Sequence, residues 1–424
     1  MKKVSFLILF VFISLTIIHS GNRGNLMKNY QLSIKAYQNK NYSDYLKYTK
    51  KSLEYSVNNL TLQYNLAGAY SLNNKLKKSY KILHNLLKKG FITDFREDED
   101  FKNLQEFDKY NILENLLEKN LEPTNNYTVA FEIPEKDLIP EGIAYNPKTE
   151  TFYISSMYKS KIISYKNGEI KNFKKEEEDN LSSVIGMEVN EKREELVAVS
   201  SYGIYNRNQK ISQDRFGFSA LFIYNLKTGD FKKKFELPIK EAHFLNDLTI
   251  ADNGDIYITD SHHPSVYILE NSFKALVKFV ELSNYNFPNG ITISPDQKYI
   301  FVATSGNILR INLNNKKITK IKHNKNVLIN NCDGLYFYQN SLIGVQSFLK
   351  RISKFNLNKS FDKIIKYRKI EANNPYFNFP TTGVISNDNL YLIANSQLNS
   401  YTRRRKLFPK SKLEKIKILK IPLK

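Results

Sequence analysis

The stretch PNGITISPDQKYIFVATS, residues 288–305, contains a phrase that recurs along the chain. A small or polar residue stands beside Gly or Asp, hydrophobic residues then alternate with polar ones, and a strand ends in Ser. Five further copies begin at residues 140, 184, 245, 332 and 381. Repeats of this length that are built from strands predict a β-propeller, here with six blades. The long interval between 184 and 245 predicts an insertion at about 202–218.

Two strand-like segments at opposite ends of the repeat region predict how the ring of blades closes. They are YTVAFEI, residues 127–133, and KIKILKI, residues 415–421. An open ring would leave unpaired strand edges on its first and last sheets. Pairing the two segments in one blade removes these edges. The predicted propeller therefore spans residues 127–424.

When the six copies are aligned on the Gly or Asp at the start of each strand, the position just before it forms a column with one residue from each blade. Because the innermost strands of a propeller line its central channel, equivalent residues face one axis. The column contains Glu141, Ile185, Asn246, Asn289, Asp333 and Thr382. Two carboxylates and two amide oxygens suit a hard divalent cation, and Ca²⁺ is favoured because it accepts six to eight oxygens. Another divalent cation is the alternative, but zinc would prefer His or Cys, which this column lacks.

The same dipeptides have a simpler interpretation. Asn-Gly and Asp-Gly are common in turns, so Asn289 or Asp333 alone would indicate only a turn. Glu141, however, is a residue that turn chemistry does not require. The shared phase of the repeat therefore favours a metal site.

A family resemblance rests on four of these motifs. They are PEG at 140–142, LND at 245–247, PNG at 288–290 and CDG at 332–334. In this order and spacing they resemble the family of senescence marker protein, gluconolactonase and luciferin-regenerating enzyme, which are six-bladed propellers. The resemblance implies that Glu141, Asn289 and Asp333 hold the metal. It places Asn246 beside the metal, as a direct ligand in the similar paraoxonases.

The resemblance also implies hydrolysis of lactones or related esters. A cation there would polarise the substrate carbonyl, and Asp333 or Asp247 is a candidate to accept the proton of water. The alternative for Asp247 is to brace the Asn246 loop. Asn246 and His262 are candidate substrate contacts, although an exposed loop is the alternative for His262. Ile185 stands where paraoxonases have a His linked to lactonase activity.

Residues 24–120 have a helical pattern instead. The pair Ala36-Tyr37 recurs as Ala69-Tyr70, and each pair is followed by an Asn-containing turn. This resembles tetratricopeptide repeats, whose period is about 34 residues. A third helical pair is expected at about 98–117. The helical domain is expected either to bind a protein partner or to act as a spacer without a ligand.

The N-terminus predicts export. Two lysines precede residues 4–18, which carry no charge, so residues 1–20 are expected to be a signal peptide or an uncleaved membrane anchor. The protein would then be periplasmic, secreted or membrane-anchored. Cys332 is the only cysteine, which excludes an internal disulfide.

A net charge of +22 is typical of proteins that bind nucleic acid. The lysines are spread over the whole length, however, and export is predicted, so we expect no nucleic-acid partner. The leading hypothesis is a calcium-dependent hydrolase that acts on a small lactone or ester. The alternative is a non-enzymatic exported interaction protein, with helical repeats and a propeller stiffened by metal.

Overall fold

The computed structural model describes residues 22–202, 206–207, 217–238, 242–272, 274–402 and 405–424. The predicted export segment, residues 1–20, and most of the predicted insertion at 202–218 lie outside these ranges. The chain divides into two compact units, one of residues 1–122 with 324–330 and one of residues 123–323 with 331–424. Among the helices of the described ranges, none has both the length and the apolarity that crossing a membrane requires.

The first unit is helical, as predicted. Its elements are α1 Asn22–Gln38, α2 Tyr42–Glu54, α3 Leu60–Leu72, α4 Leu76–Lys88, a 3₁₀ helix Glu99–Glu106 and α5 Tyr110–Leu121. Asn41 and Asn59 cap α2 and α3, because their side chains accept hydrogen bonds from backbone N–H groups of the first turn. The segment predicted as a third pair of α-helices begins as a 3₁₀ helix, where the Asp98 side chain accepts from the N–H of Asp100.

The recurring Ala-Tyr pairs have a packing role in this unit. Ala36 and Ala69 are buried in one hydrophobic cluster with Tyr45, Leu46 and Leu66. A side chain as small as alanine lets neighbouring helices approach closely. The recurrence therefore marks equivalent helix contacts, and the likeness to tetratricopeptide repeats stays a prediction.

The second unit is a six-bladed β-propeller, which confirms the predicted fold. Its strands are β1 Thr128–Ile133, β2 Ile143–Asn146, β3 Thr151–Ser156, β4 Lys161–Lys166, β5 Glu169–Lys174, β6 Ser183–Asn190, β7 Glu195–Ser201, β8 Ser219–Asn225, β9 Phe231–Glu236, β10 Leu245–Ile250, β11 Ile256–Asp260, β12 Ser265–Leu269, β13 Leu276–Glu281, β14 Ile291–Ile293, β15 Tyr299–Ala303, β16 Ile308–Asn312, β17 Ile318–Lys320, β18 Leu335–Tyr338, β19 Ser341–Gln346, β20 Arg351–Leu357, β21 Ile364–Ala372, β22 Gly383–Ser386, β23 Asn389–Ile393 and β24 Ile416–Pro422.

Each blade is a four-stranded antiparallel sheet. Five blades follow chain order from β2 to β21, and the sixth has the order β22, β23, β24, β1. The N-terminal strand is thus the outer strand of the last blade, with Thr128 opposite Lys420 and Ile133 opposite Ile416. This pairing closes the ring in the way that the sequence predicted.

Burial within a blade follows from packing between blades. All residues of β3 and of β7 are buried, because a second strand has a neighbouring blade on each face. Even the polar residues at their ends, such as Ser155 and Ser156 of β3 and Ser200 and Ser201 of β7, are fully buried. The fourth strand lies at the rim, and β9 has three exposed residues at its start.

The helical unit holds a half-buried pair of acids, Asp98 and Asp100. The hydroxyl of Tyr37 donates to Asp100 Oδ1 at 2.6 Å, and the hydroxyl of Tyr64 donates to Asp98 Oδ2 at 2.8 Å. Burial raises the pKa of Asp100 to about 7, the Tyr37 hydrogen bond lowers it, and the charge of Asp98 raises it. The pKa of Asp98 is also raised, chiefly by burial.

We expect Asp100→Asn to reduce the pH dependence of stability. A raised folded-state pKa means that the folded chain binds the proton more tightly than the unfolded chain between about pH 4 and pH 7. The free energy of unfolding therefore falls as pH rises through this window, by an amount on the order of a few kcal/mol. Urea unfolding followed by circular dichroism at 222 nm, at pH 5 and pH 8, measures the slope. The exposed Asp108→Asn variant is the control, and an unchanged slope in Asp100→Asn would contradict the assignment.

Candidate metal centre at the propeller axis

Glycine follows the column residue in five of the six blades, and its role is close backbone contact. A Cβ on Gly142 would lie 2.0 Å from the carbonyl oxygen of Ile185, in the next blade. A Cβ on Gly290 would lie 2.7 Å from the carbonyl oxygen of Asp333. Neither glycine has a positive φ. The Glu-Gly and Asn-Gly dipeptides therefore allow innermost strands to approach one another and do not form turns.

Contacts between neighbouring blades connect the column positions around the ring. In order they are Gly142 with Ile185, Gly186 with Asn246, Asp247 with the N–H of Ile291, Asn289 with Asp333, Tyr336 with the N–H of Gly383, and Thr382 with the carbonyl of Glu141. Every blade thus contacts the next one at this depth. The column positions of the six blades therefore follow one another around the ring, and convergence of their side chains on a cation stays a prediction.

In two blades the column residue lies inside the innermost strand and not before it. In the second and third blades the innermost strands β6 and β10 begin before the column residue. Their pairing registers shift between Val184 and Met187 and between Leu245 and Leu248. These β-bulges place Ile185 and Asn246 inside a strand without breaking it.

Asn289 and Asp333 are in direct contact. The side-chain amide of Asn289 donates to Asp333 Oδ1 at 2.6 Å, and the Ser347 hydroxyl donates to Asp333 Oδ2 at 2.9 Å. Burial raises the pKa of Asp333 to about 6, whereas these two hydrogen bonds lower it. The carboxylate is therefore fixed in orientation by partners on both oxygens.

Glu141 is a buried acid with an unsatisfied oxygen. The residue is 6% exposed, and its Oε2 has no hydrogen-bond partner within the described part of the chain. Its backbone is held, because Ser155 Oγ accepts from the N–H groups of Glu141 and Gly142. Burial raises the pKa of Glu141 well above its usual value, and the charges of Asp333 and Asp247 raise it further.

The side chain of Asn246 is oriented by a serine. Its amide nitrogen donates to Ser261 Oγ at 2.9 Å, and that hydroxyl donates to the carbonyl oxygen of Pro288 at 2.5 Å. Pro288 immediately precedes Asn289. The serine after the second strand, which recurs in the sequence repeat, therefore connects the Asn246 and Asn289 positions of adjacent blades.

Asp247 braces two blades. Its Oδ1 accepts from the N–H of Leu248, and its Oδ2 accepts from the N–H of Ile291 in the fourth blade. Burial raises its pKa to about 7, and the two hydrogen bonds lower it. This geometry matches the bracing role that the sequence left open beside a catalytic one.

A cavity of about 290 Å³ lies along the channel. Innermost-strand residues of all six blades line it, together with Asp247 and Glu188. Glu141, Asn246, Asn289 and Asp333 do not line this cavity. Of the column residues only Thr382 is part of its lining, and Asp247 brings the neighbour of Asn246 to it.

His262 lies next to the segment that leads into Asn246. Its backbone N–H donates to Asp260 Oδ1, and its imidazole packs on the Phe244 ring at a centroid distance of 5.3 Å. The sequence analysis missed His243, whose Nδ1 lies 2.5 Å from Asp260 Oδ2. Asp260 also accepts from the N–H of Phe244, so this pair anchors the segment before Asn246. The sequence feature that could have identified His243 as a residue near the site is its position, three residues before Asn246.

Four residues just before the column positions have positive φ values. They are Ile139 at 47°, Phe287 at 55°, Asn331 at 50° and Phe379 at 63°. This region is unfavourable for non-glycine residues, above all for a β-branched one such as Ile139. Backbone strain of this kind persists where the surrounding structure holds it and is concentrated at functional sites.

The donor set fits a hard cation. Across the described residues, no group of three or more His, Cys, Asp or Glu side chains is arranged to hold a metal ion. The ring, however, combines carboxylates with amide oxygens. The unsatisfied buried Oε2 of Glu141, near the charge of Asp333, is the observation that favours a cation, because a bound dication would neutralise both acids.

Comparisons with known proteins identify a family. A family model for the SMP-30/Gluconolactonase/LRE-like region matches residues 139–358. Among solved structures, a gluconolactonase from Xanthomonas campestris is 14% identical, with a TM-score of 0.47 over 71% of this chain and 100% of that chain. A luciferin-regenerating enzyme is 12% identical, with a TM-score of 0.46 over 71% and 95% of the two chains. Virginiamycin B lyase from Staphylococcus aureus is 14% identical, with a TM-score of 0.47 over 70% and 99%. No curated protein matches the chain.

We expect Glu141→Gln to stabilise the cation-free protein and to abolish its response to Ca²⁺. The substitution removes a buried acid without a partner, so the melting temperature in a chelator should rise by a few degrees. Added Ca²⁺ should raise the melting temperature of the wild type but not of the variant. Thermal unfolding with and without Ca²⁺ measures both effects.

Glu188→Gln is the matched control. Glu188 is a half-buried acid that lines the channel cavity, and desolvation raises its pKa to about 8, but it does not belong to the ring of column residues. Its variant should keep the full response to Ca²⁺. An equal response to Ca²⁺ in Glu141→Gln would remove Glu141 from the ligand set.

Proposed function

The chain belongs to the SMP-30/gluconolactonase/LRE-like family, and from this premise we propose that it is a calcium-dependent hydrolase of lactones or related esters. The family model covers residues 139–358 of the 424. This range includes the four candidate ligands Glu141, Asn246, Asn289 and Asp333 and excludes the predicted export segment and the helical unit. The reaction would take place at the propeller axis, where the column residues meet.

The observation that carries the proposal is the arrangement of Glu141, Asn289 and Asp333. An acid with an unsatisfied buried oxygen lies within the field of a second acid, which is itself bonded to an amide. Two converging acids without a cation destabilise each other. Such a destabilising pair of acids is expected where a bound cation offsets their repulsion.

Glu141, Asn246, Asn289 and Asp333 would hold the cation, and Ca²⁺ accepts such oxygen ligands in flexible geometry. When bound, the cation would polarise the substrate carbonyl and stabilise the negative charge that forms on its oxygen. The sequence alternative of another divalent cation uses the same residues.

The chain itself would position the reacting groups. We assign proton acceptance from the attacking water to Asp333, because Ser347 and Asn289 fix the orientation of its carboxylate. We assign a positioning role to Asp247, since its hydrogen bonds come from backbone N–H groups and join the third blade to the fourth, whereas those of Asp333 come from side chains. Asn246, oriented by Ser261, is proposed to contact the substrate as well as the cation.

Export and a protein partner of the helical unit belong to the same proposal. The uncharged residues 4–18 support export, and the equivalent helix contacts of Ala36 and Ala69 support a repeat structure. A hydrolase of small molecules outside the cytoplasm would be consistent with both features.

We expect Asp333→Asn to lower kcat/KM for lactones and aryl esters by at least about 10³-fold, because it removes the negative charge of one ligand and the proton acceptor together. A panel of lactones and aryl esters, with and without chelator, measures the loss. Asp252→Asn, at an exposed turn of the same blade as Asp247, is the control and should retain activity.

The interaction-protein alternative gives a different result. In that case the wild type would hydrolyse nothing in the panel, and Asp333→Asn would change only thermal stability. Turnover that is insensitive to chelator would contradict the proposed role of the cation.

A further inference from the structure

We propose that Phe348 and Phe379 form an aromatic subsite at the mouth of the channel, which binds an aryl or alkyl substituent of the substrate. This inference rests on the proposed function and narrows its substrate class. It favours lactones and esters with an apolar substituent over polyhydroxylated sugar lactones.

The position of Phe348 connects it with the candidate centre. Phe348 directly follows Ser347, whose hydroxyl donates to Asp333 Oδ2 at 2.9 Å. Both residues belong to the short 3₁₀ turn Ser347–Leu349, after β19. The backbone of Phe348 is therefore one residue away from a direct partner of Asp333.

The exposure of Phe348 is unusual for its place in the blade. It is 52% exposed. The other exposed large hydrophobic residues of the described propeller lie on fourth strands at the rim, and they are Val129, Phe231, Val277 and Ile365. Phe348 instead lies beside the axial ring. Single exposed hydrophobic residues are common on protein surfaces, but this one directly follows a residue that donates to Asp333.

Phe379 completes the subsite from the next blade. Its ring meets that of Phe348 edge to face, at a centroid distance of 5.4 Å and an interplanar angle of 80°. Its φ of 63° is unfavourable for a phenylalanine, and its carbonyl is held by the N–H and the hydroxyl of Ser396. The residue is thus fixed three positions before Thr382, the column residue of the sixth blade.

The chemistry of this pair selects an apolar ligand group. An edge-to-face pair leaves ring surface open for a third aromatic or an alkyl group, and burying that surface is favourable. The hydroxyl groups of a sugar lactone would lose hydrogen bonds with water against these rings. An aryl or alkyl substituent loses none.

Two pairs of probes isolate this contact. Dihydrocoumarin and δ-valerolactone share a six-membered lactone ring and differ in the fused benzene ring. The corresponding lactams, dihydroquinolinone and δ-valerolactam, report binding alone, because an amide carbonyl is far less reactive toward water than an ester carbonyl. Calorimetry with the lactams and kcat/KM with the lactones are measured on the full chain with Ca²⁺ present. Ratios between variant and wild type cancel the different reactivities of the two lactones.

We expect Phe348→Ala and Phe379→Ala each to weaken binding of dihydroquinolinone about tenfold and to lower kcat/KM for dihydrocoumarin by a similar factor. Their effects on the valerolactam and valerolactone should stay within about twofold. Phe348→Leu should recover part of the loss. Phe231→Ala removes a similarly exposed Phe from the rim strand β9 and should change nothing.

The outcomes separate this inference from the proposed function. Hydrolysis without a preference for the aryl probes, or equal losses for both probe pairs, would overturn the aromatic subsite and leave the hydrolase in place. Aryl-selective lactam binding without turnover of any lactone would support the subsite and overturn the hydrolase. Neither binding nor turnover would overturn both.

Discussion

The close approach of six innermost strands around one axis is the constraint on which the rest of this structure depends. Backbones of neighbouring blades come so near that a Cβ on Gly142 would overlap the carbonyl of Ile185. Side chains placed just before these contacts have little room to turn away from the axis. Glu141 and Asp333 are therefore brought together by backbone packing, and not by attraction between their side chains.

This constraint explains why the acids carry raised pKa values. Burial is the first cause for Glu141, Asp247 and Asp333, and their mutual charge adds to it for Glu141 and Asp247. Two of the three acids are satisfied by hydrogen bonds from the protein, whereas one oxygen of Glu141 is not. The unfavourable electrostatic interaction is thus concentrated on Glu141. In the sequence, this was the column residue that a turn does not require.

The fold and the ring were predictable because they depend on a repeated local pattern. Equivalent positions of the six copies occupy equivalent places in the six blades. Glu141, Asn289 and Asp333 could therefore be assigned to one level of the propeller without knowledge of any contact. The closing pair of β1 and β24 followed from the need to cover strand edges. The 3₁₀ helix at Glu99–Glu106 was not predictable from apolar spacing, since it depends on how the Asp98 side chain bonds the backbone.

Features outside the repeat are where sequence reasoning failed, and they have a common physical origin. The contact of His243 with Asp260 and that of Phe348 with Phe379 join segments that the repeat pattern does not align. Such contacts depend on the course of loops before the innermost strands and after the second strands. The repeated scaffold fixes the backbone of the ring, and single loop residues such as Ser261 and Ser347 orient its side chains. The ring therefore determines what chemistry the axis can support, and the loops around it determine which substituents reach that chemistry.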